Sequence, residues 1–280
     1  MLSYQHAFHA GNFADVLKHT VLVQILDYLK LKDKPLFYLD THAGLGLYHL
    51  NSKEAAKNRE YVSGIGKLWR LNDSPETIRP YLELIKSLNP QGSLLHYPGS
   101  PVIAQKLLRR TDRLFLFELH PNQYQLLNSQ LKPDKRIKIE LGDGLNEGLN
   151  LLPPIQHRGL VLIDPSYEVK TDYKAVVSVL AAMYKRFANG IFALWYPVVE
   201  RGYIQALELA IQKSAIKNVQ LFELGVEPDS PSLGMTACGM IVVNPPWLLS
   251  DRMANCLPWL VKVLGQDGQG FFRVVQLVKE

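Results

Sequence analysis

Short apolar runs alternate with amphipathic stretches along most of this chain, and this alternation limits the folds that it can adopt. Seven runs are rich in aliphatic and aromatic side chains, as strands are: residues 36–40, 114–119, 137–143, 160–164, 191–197, 219–225 and 239–244. Several are almost continuously apolar, which is typical of strands covered on both faces. Apolar residues at helical spacing lie between them, over 14–30 (with Asn12 as a suitable N-cap), 102–110, 123–131, 173–187 and 203–214. The pattern predicts an α/β fold with a largely parallel sheet.

One interval departs from this alternation. More than 70 residues separate the first predicted strand from the second, although a single crossover helix would suffice. Residues 50–95 are polar and rich in helix-forming residues, and a structureless loop of that length is uncommon inside a domain. We therefore expect a helical insert at 50–95, carried by an α/β core of residues 1–49 and 96–280.

Composition excludes several classes of protein. Hydrophobic residues make up 47% of the 280 residues, so the chain can bury enough apolar surface to fold. Two cysteines without a CxxC pair exclude a disulfide scaffold and a thiolate zinc site, and they suit a reducing cytoplasm. No apolar run approaches the roughly 20 residues of a membrane span, and the first residues lack the apolar stretch of a signal peptide. The net charge of +5 permits a nucleic-acid partner without establishing one.

Three predicted strands end in residues that suit a nucleoside pocket. The first runs into Asp-Thr-His-Ala-Gly-Leu-Gly at 40–46, where Gly44 allows a tight turn and a close approach of the backbone to a ligand. The second ends at Glu118, a carboxylate that can accept hydrogen bonds from ribose hydroxyls, and the third ends at Asp143 and Gly144. An acid at the third position can accept from the exocyclic amine of adenine. Because ligands bind at the carboxyl ends of such strands, this coincidence favours a binding site over solvated strand ends.

The fourth predicted strand ends in Asp164-Pro165-Ser166-Tyr167. This end lies at the expected switch point of the sheet, facing the nucleoside pocket. The Asp164 carboxylate and the Pro165 carbonyl could accept hydrogen bonds from an amine nucleophile, and Tyr167 could stack on a planar base. A competing motif, Asn-Pro-Pro-Trp at 244–247, is closer to the usual pattern of amine methylation. It follows the seventh strand, farther from the pocket, so we interpret it as a rigid turn.

Together these residues resemble a class I methyltransferase that uses S-adenosylmethionine to methylate an exocyclic amine. The resemblance extends to the RlmJ family, whose members methylate adenine N6 in 23S ribosomal RNA. It rests on the N-terminal signature from Tyr4 to His19 and on the motifs LDTHAGLG, HYPGSP, FELHP, LWYPVV, GMTACGMIVVNPPW and LPWL. The resemblance covers nearly the whole chain, including the insert. It implies a Rossmann-like fold with a mixed seven-stranded sheet in the order 3-2-1-4-5-7-6, with S-adenosylmethionine as cofactor and 23S rRNA as partner.

The resemblance also implies roles for individual residues. The family contacts the cofactor at positions that match His19, His42, Ser100, Glu118, Asp143, Gly144 and Asp164, and Gly44 in the first turn is a further expected contact. Asp164 matches the catalytic acid, and we expect Pro165 and Tyr167 to act with it. Tyr4 matches a residue near the target adenine, and Lys18 lies on the helix beside it, so residues 1–30 are expected to cover the cofactor and the base. Ser166 departs from the family, which usually has a second proline there.

Other interpretations stay open at this point. A metal site formed by His6, His9, His19 and His42 is disfavoured, because their spacing matches no known ligand motif. Basic clusters at 109–113 and 132–138 are either solvated faces or phosphate contacts. A DNA adenine methyltransferase would share the fold but would usually carry a sequence-reading domain. An RNA-binding homologue that has lost catalysis would account for Ser166. We expect a monomeric cytoplasmic enzyme without membrane association or metal.

Overall fold

The computed structural model describes residues 5–168, 172–230 and 234–280. Its strands are β1 Phe37–Asp40, β2 Leu47–His49, β3 His96–Pro98, β4 Arg113–Glu118, β5 Ile137–Leu141, β6 Gly159–Ile163, β7 Ile191–Val198, β8 Val219–Gly225, β9 Ala237–Val243 and β10 Phe271–Val278. Its helices are α1 Phe13–Lys30, α2 Lys53–Asn58, α3 Glu60–Ser63, α4 Ile65–Trp69, α5 Arg79–Ser87, α6 Ser100–Leu107, α7 Pro121–Leu131, α8 Gly144–Glu147, α9 Asp172–Arg186, α10 Arg201–Gln212 and α11 Leu249–Leu264. None of the helices in these described ranges combines the length and apolarity that crossing a membrane requires.

The main sheet has eight strands in the order β10-β8-β9-β7-β6-β1-β4-β5. Strands β5, β4, β1, β6 and β7 are parallel, whereas β9 is antiparallel to both β7 and β8, and β10 is antiparallel to β8. The seven predicted strands therefore occur in the predicted order, and the Rossmann-like class I arrangement is confirmed. The predicted count of seven was wrong, because Phe271–Val278 adds an eighth strand at the edge. This strand is only half-buried, and polar Arg273 and Gln276 interrupt its apolar pattern.

Strand β1 lies at the centre of the sheet, and its side chains alternate between two cores. Tyr38 faces the core that includes α1, α6 and α11, whereas Phe37 and Leu39 face the core that includes α9 and α10. All four residues of β1 are buried, as expected for a central parallel strand covered by helices on both faces. The fold is therefore a three-layer α/β/α sandwich in which the carboxyl end of β1 opens at one edge of the sheet.

Helix α1 is buried along nearly its whole length. Asn12 caps it, because the side-chain Oδ1 accepts a hydrogen bond from the backbone N–H of Asp15 at 3.0 Å. Val16, Leu17 and Ile25 are fully buried, and the helix packs against β9 and α6. The buried residues of α1 include polar Asp15, Lys18 and His19 as well as apolar ones, so the helix is enclosed on most sides and its polar residues need partners inside the protein.

The interval between β2 and β3 contains helices α2 to α5, and β2 pairs with β3 as a separate two-stranded antiparallel sheet. Ile65, Leu68, Tyr81 and Ile85 of this interval belong to the same apolar core as α1. The interval is thus helical and packs on the N-terminal helix, while its limits as a separate unit at 50–95 stay a prediction.

The Asn-Pro-Pro-Trp motif at 244–247 lies at the opposite edge of the sheet from the end of β1. Strand β9 runs antiparallel to β7, so Val243 at its end pairs with Phe192 near the start of β7. Asn244 has a left-handed backbone with φ of 51°, and its amide donates to the carbonyls of Ala188 and Gly190 at 2.8 and 2.7 Å. The motif closes a turn.

We predict that Asn244→Ala lowers the free energy of unfolding by about 2 kcal/mol, because it removes two hydrogen bonds and places alanine in a left-handed conformation. Urea denaturation measures this loss. The far-UV circular dichroism spectrum of the native protein should stay unchanged, and an unchanged free energy of unfolding would contradict the structural role of the motif.

Candidate active site

The ends of four parallel strands and one side of α1 surround a cavity of about 260 Å³. Nine of the residues predicted for the site line it: Lys18, His19, His42, Gly44, Ser100, Glu118, Asp143, Asp164 and Pro165. Tyr167 lines a second, adjoining cavity, and Gly144 lines neither. Tyr4 lies outside the described residues. The fold therefore brings together side chains that are as far apart in sequence as 18 and 165.

Glu118 connects the ends of β1 and β4. Its Oε2 accepts the backbone N–H of Gly44 at 2.8 Å, and its Oε1 accepts the backbone N–H of His120 at 2.7 Å. Gly44 has φ of +65°, and a Cβ there would lie 2.5 Å from the Tyr48 hydroxyl, so the turn requires glycine. Burial raises the pKa of Glu118, and these backbone hydrogen bonds oppose that rise. The carboxylate is thus held in one orientation at the cavity wall.

Ser100 reaches the cavity beside a buried acid that sequence reasoning did not assign. Its hydroxyl donates to Asp40 Oδ2 at 2.7 Å, and the Tyr38 hydroxyl donates to the same oxygen at 2.9 Å. Burial raises the pKa of Asp40 to about 6. An acid that ends an otherwise apolar strand was the available signal, because such a residue needs partners when it is buried.

Asp143 and Gly144 form the turn after β5. The Asp143 carboxylate caps α8, accepting from the backbone N–H of Leu145 at 2.9 Å and from the Asn146 amide at 2.6 Å. A Cβ on Gly144 would lie 2.3 Å from the Thr41 carbonyl oxygen. Gly144 therefore allows the turns after β1 and β5 to pack together, and it stands behind the cavity wall.

Two histidines present uncharged rings to the cavity. Burial lowers the pKa of His19 to about 3, and burial also lowers the pKa of His42. His19 Nδ1 is paired with the Tyr97 hydroxyl at 2.7 Å, which is paired in turn with the Tyr81 hydroxyl at 2.9 Å. His19 Nε2 is buried and has no hydrogen-bond partner among the described residues. A buried polar atom without a partner in a cavity wall indicates a ligand-binding position.

A buried ion-pair chain joins α1 to the end of β6. Lys18 Nζ lies 2.6 Å from Asp164 Oδ2 and 3.0 Å from Asp15 Oδ1. Asp15 also contacts His6, with 2.9 Å between His6 Nε2 and Asp15 Oδ2. Burial opposes ionisation of Asp15, but the neighbouring His6 and Lys18 hold its pKa well below the usual range. Lys18 was predicted beside the base, whereas its direct contact with Asp164 and the part played by Asp15 were not foreseen.

The second cavity, of about 480 Å³, adjoins the first at Lys18, Asp164 and Ser166, which line both. Tyr167, Tyr173, Trp195 and Tyr203 form one side of it, and we call it the aromatic cavity, although charged residues such as Asp15 and Glu200 also line it. The Tyr167 hydroxyl donates to the Trp195 carbonyl at 2.7 Å, and its ring centroid lies 4.5 Å from that of Tyr173. Tyr167 has φ of 51°, an uncommon conformation for a bulky residue. The segment 164–167 therefore separates a polar cavity from an aromatic one.

The two basic clusters lie elsewhere. Arg109 bonds to Asp112 and to the carbonyls of Lys32 and Lys34, and Arg136 bonds to Asp134 at the start of β5. These contacts are at the amino ends of the parallel strands, opposite the cavities. Within the described ranges, no group of three or more His, Cys, Asp or Glu side chains is placed to hold a metal ion.

Comparison with known proteins identifies the family. Residues 33–278 match the family described as "Ribosomal RNA large subunit methyltransferase D, RlmJ". The chain is 51% identical to the Ribosomal RNA large subunit methyltransferase J of Escherichia coli and 49% identical to that of Haemophilus influenzae, covering 100% of each protein and of itself. A crystal structure of a Legionella pneumophila protein matches with a TM-score of 0.88 at 38% identity, over 96% of this chain and 98% of that one. The chain belongs to the RlmJ family.

The low pKa of His19 predicts a specific pH dependence of stability. The folded protein leaves His19 unprotonated while the unfolded chain protonates it near pH 6.5, so this group costs stability as the pH falls. Between pH 7.5 and 5, the wild type should lose about 2 kcal/mol more unfolding free energy than His19→Gln. Urea titrations of both proteins at each pH measure the difference, and equal losses would contradict the buried, neutral ring.

Proposed function

We propose that this chain transfers a methyl group from S-adenosylmethionine to N6 of an adenine in 23S rRNA. Membership of the RlmJ family makes it an rRNA methyltransferase, with S-adenosylmethionine as methyl donor. The proposal adds the target atom and the roles of the residues. The observation that carries it is the position of Asp164, paired with Lys18 at the junction of a polar and an aromatic cavity.

The polar cavity fits the cofactor. The sulfonium of S-adenosylmethionine supplies a methyl group that is reactive toward an amine. Glu118 can bind the ribose hydroxyls, since a carboxylate accepts hydrogen bonds from vicinal hydroxyls, and Asp143 can accept from the adenine amine. His19 Nε2, which is buried without a partner among the described residues, would gain a polar neighbour on binding. Neutral His19 and His42 allow a cationic sulfonium nearby without charge repulsion.

The aromatic cavity fits the target base. An adenine must leave its stack to reach Asp164, which costs roughly a few kcal/mol and less in loop RNA. We assign Tyr167 to stacking on that base. The Asp164 carboxylate and the Pro165 carbonyl would accept hydrogen bonds from the N6 amine and so direct the nitrogen lone pair toward the methyl group. Rate enhancement would come mainly from positioning. As N6 bonds to the methyl carbon, the methyl–sulfur bond would break with its electron pair staying on sulfur, and the extra proton on N6 would then pass to water.

Lys18 fixes the orientation of Asp164 in this arrangement. Its ammonium holds Oδ2 at 2.6 Å, and its side chain is only 6% exposed, so the pair is shielded from water. The same ammonium also contacts Asp15, so the two carboxylates share one positive charge. Ser166 borders both cavities, where the family usually has proline, and the Asp164 and Pro165 acceptors are retained.

The finer partner and location assignments are also part of the proposal. We assign the protein as a monomer that acts on rRNA without a membrane partner. Cys238 and Cys256 are both buried free thiols, as suits a reducing cytoplasm. Light scattering during size-exclusion chromatography tests the first assignment, since an obligate dimer would elute at twice the mass of 31.7 kDa.

We predict that Asp164→Ala abolishes methyl transfer to transcribed 23S rRNA, because the amine loses its carboxylate acceptor and Lys18 loses one of its two carboxylate partners. Tritium transfer from labelled S-adenosylmethionine measures this, with product identified as N6-methyladenosine by mass spectrometry. The exposed Asp73→Ala is the matched control and should retain activity. Full activity of folded Asp164→Ala would contradict the mechanism, and methylation of duplex DNA in preference to rRNA would contradict the substrate.

We predict that Glu118→Ala weakens S-adenosylmethionine binding by about tenfold to a hundredfold, since hydrogen bonds to a charged acceptor contribute about 1.5–3 kcal/mol. Isothermal titration calorimetry measures the affinity. Glu140→Ala, on the neighbouring strand and paired with Lys138, is the control. Unchanged affinity in Glu118→Ala would exclude the ribose assignment.

A further inference from the structure

The N-terminal segment at 5–12 lies against the helical interval as well as against the active site. The backbone N–H of Ile65 donates to the Gly11 carbonyl at 2.8 Å. Gly64 also packs against Gly11, and a Cβ added to Gly64 would lie 2.1 Å from the Gly11 carbonyl oxygen. Helices α3 and α4 therefore meet the segment through backbone contacts that admit no side chain.

Glu60, the first residue of α3, binds this segment at two points. Its Oε1 lies 2.8 Å from His9 Nδ1, and its Oε2 accepts the Asn12 amide at 3.0 Å. Asn58 donates a weaker bond to Oε1 at 3.4 Å. The hydrogen bond to Glu60 raises the pKa of His9 against the effect of burial, so the contact gains charge as the pH falls. The side chains of Glu60 and His9 are 32% and 34% exposed, so the contact lies at the surface and not in the core. We call the contacts of Glu60 with His9 and Asn12 the Glu60 latch.

The Asn12 contact and the adjacent Gly11 lead directly to the ion-pair chain of Asp15, Lys18 and Asp164. Asn12, which binds Glu60 through its amide nitrogen, caps α1 through its oxygen by accepting from Asp15 N–H. The backbone N–H of Gly11 donates to Asp15 Oδ2 at 2.8 Å. Asp15 in turn contacts Lys18, which contacts Asp164. A contiguous series of bonds thus runs from Glu60 to the proposed catalytic acid.

We propose that Glu60 is a positioning residue for methyl transfer, holding His9 and Asn12 so that His6, Asp15 and Lys18 keep their places against Asp164. This gives the helical interval a part in the reaction, and it rests on the function proposed above. Because small displacements of reacting groups cost large factors in rate, loss of the latch should lower kcat without unfolding the protein.

The first test compares Glu60→Ala with the exposed Glu83→Gln of α5, which serves as control within the same interval. Glu60→Ala should lower kcat for rRNA about tenfold or more, with the melting temperature and the affinity for S-adenosylmethionine nearly unchanged. Hydrogen exchange of the amides at 5–12 should become faster in Glu60→Ala and stay as in the wild type in Glu83→Gln. This exchange experiment needs no turnover.

The second test uses the conservative Glu60→Gln and the charge of His9. In Glu60→Gln the side-chain oxygen can accept from Asn12 while the side-chain NH₂ donates to Nδ1 of a neutral His9. When His9 is protonated, Nδ1 also carries a hydrogen, so two donors face each other and this hydrogen bond is lost. A histidine is charged below its pKa and becomes neutral as the pH rises through it. Because Glu60→Gln removes the hydrogen bond that raises the pKa of His9, the comparison extends to pH 5, below the ordinary histidine pKa of about 6.5. Besides Glu60, His9 faces Asp15, whose charge also favours protonation, while Lys57 lies over the adjacent Phe8 ring and His6 lies one turn earlier. These groups are present in both the wild type and Glu60→Gln, so their effects cancel in the ratio of the two kcat values.

The ratio of kcat for Glu60→Gln to that of the wild type should therefore be close to one at pH 8.5 and should fall toward the value for Glu60→Ala at pH 5. Gly64→Ala displaces the same segment by steric contact and should lower kcat equally at both pH values. The proposal is overturned if Glu60→Ala retains wild-type kcat and amide protection, or if the Glu60→Gln ratio does not change with pH. Failure of the wild type to methylate rRNA would contradict the proposed function, and the exchange experiment would still decide whether Glu60 holds the segment.

Discussion

The Lys18 ammonium, placed between Asp15 and Asp164, is the interaction on which the active site depends. It joins the first helix of the chain to the end of a central strand, at distances of 3.0 and 2.6 Å. Charges that are buried or nearly buried are tolerable only when each is paired with an opposite charge in good geometry, and Lys18 pairs with both carboxylates. The position of α1 is therefore coupled to the orientation of Asp164, the proposed catalytic acid, and the strand end and the helix form one site.

This coupling explains why the N-terminal helix is so thoroughly buried. A surface helix would allow Lys18 to rotate or become solvated, whereas α1 is enclosed by β9, α6 and α5. The same enclosure removes water from His19, which keeps its ring neutral beside the position proposed for a cationic cofactor. The burial of α1 beneath the cavity therefore accounts for the fixed position of Lys18, for the neutral ring of His19 and for their proposed roles in the reaction.

Much of the fold could be predicted because buried parallel strands carry a strong local pattern. The six central strands and the edge strand β5 have apolar runs, and the acids Glu118, Asp143 and Asp164 follow three of them. Features that depend on tertiary contact were harder to find. Strand β10 is half-buried, and α11 contains Pro258, which normally marks the end of a helix.

The site shows the same division between local pattern and tertiary contact. Asp40 and Asp15 were not assigned roles, because only the folded arrangement shows that Ser100 and Lys18 contact them. Gly144 has the right motif position but serves packing against Thr41. The position of the Asn-Pro-Pro-Trp motif follows from strand direction, since β9 ends at the edge opposite the cavities.

The most direct measurement is quantitative mass spectrometry of nucleosides from 23S rRNA of cells that lack this gene, complemented with the wild-type chain or with Asp164→Asn. Adenine N6 methylation should disappear at one site in the deleted strain, return with the wild type and stay absent with Asp164→Asn. Unchanged methylation in the deleted strain, or its full return with Asp164→Asn, would contradict the assignment of this chain as an rRNA adenine-N6 methyltransferase that acts through Asp164.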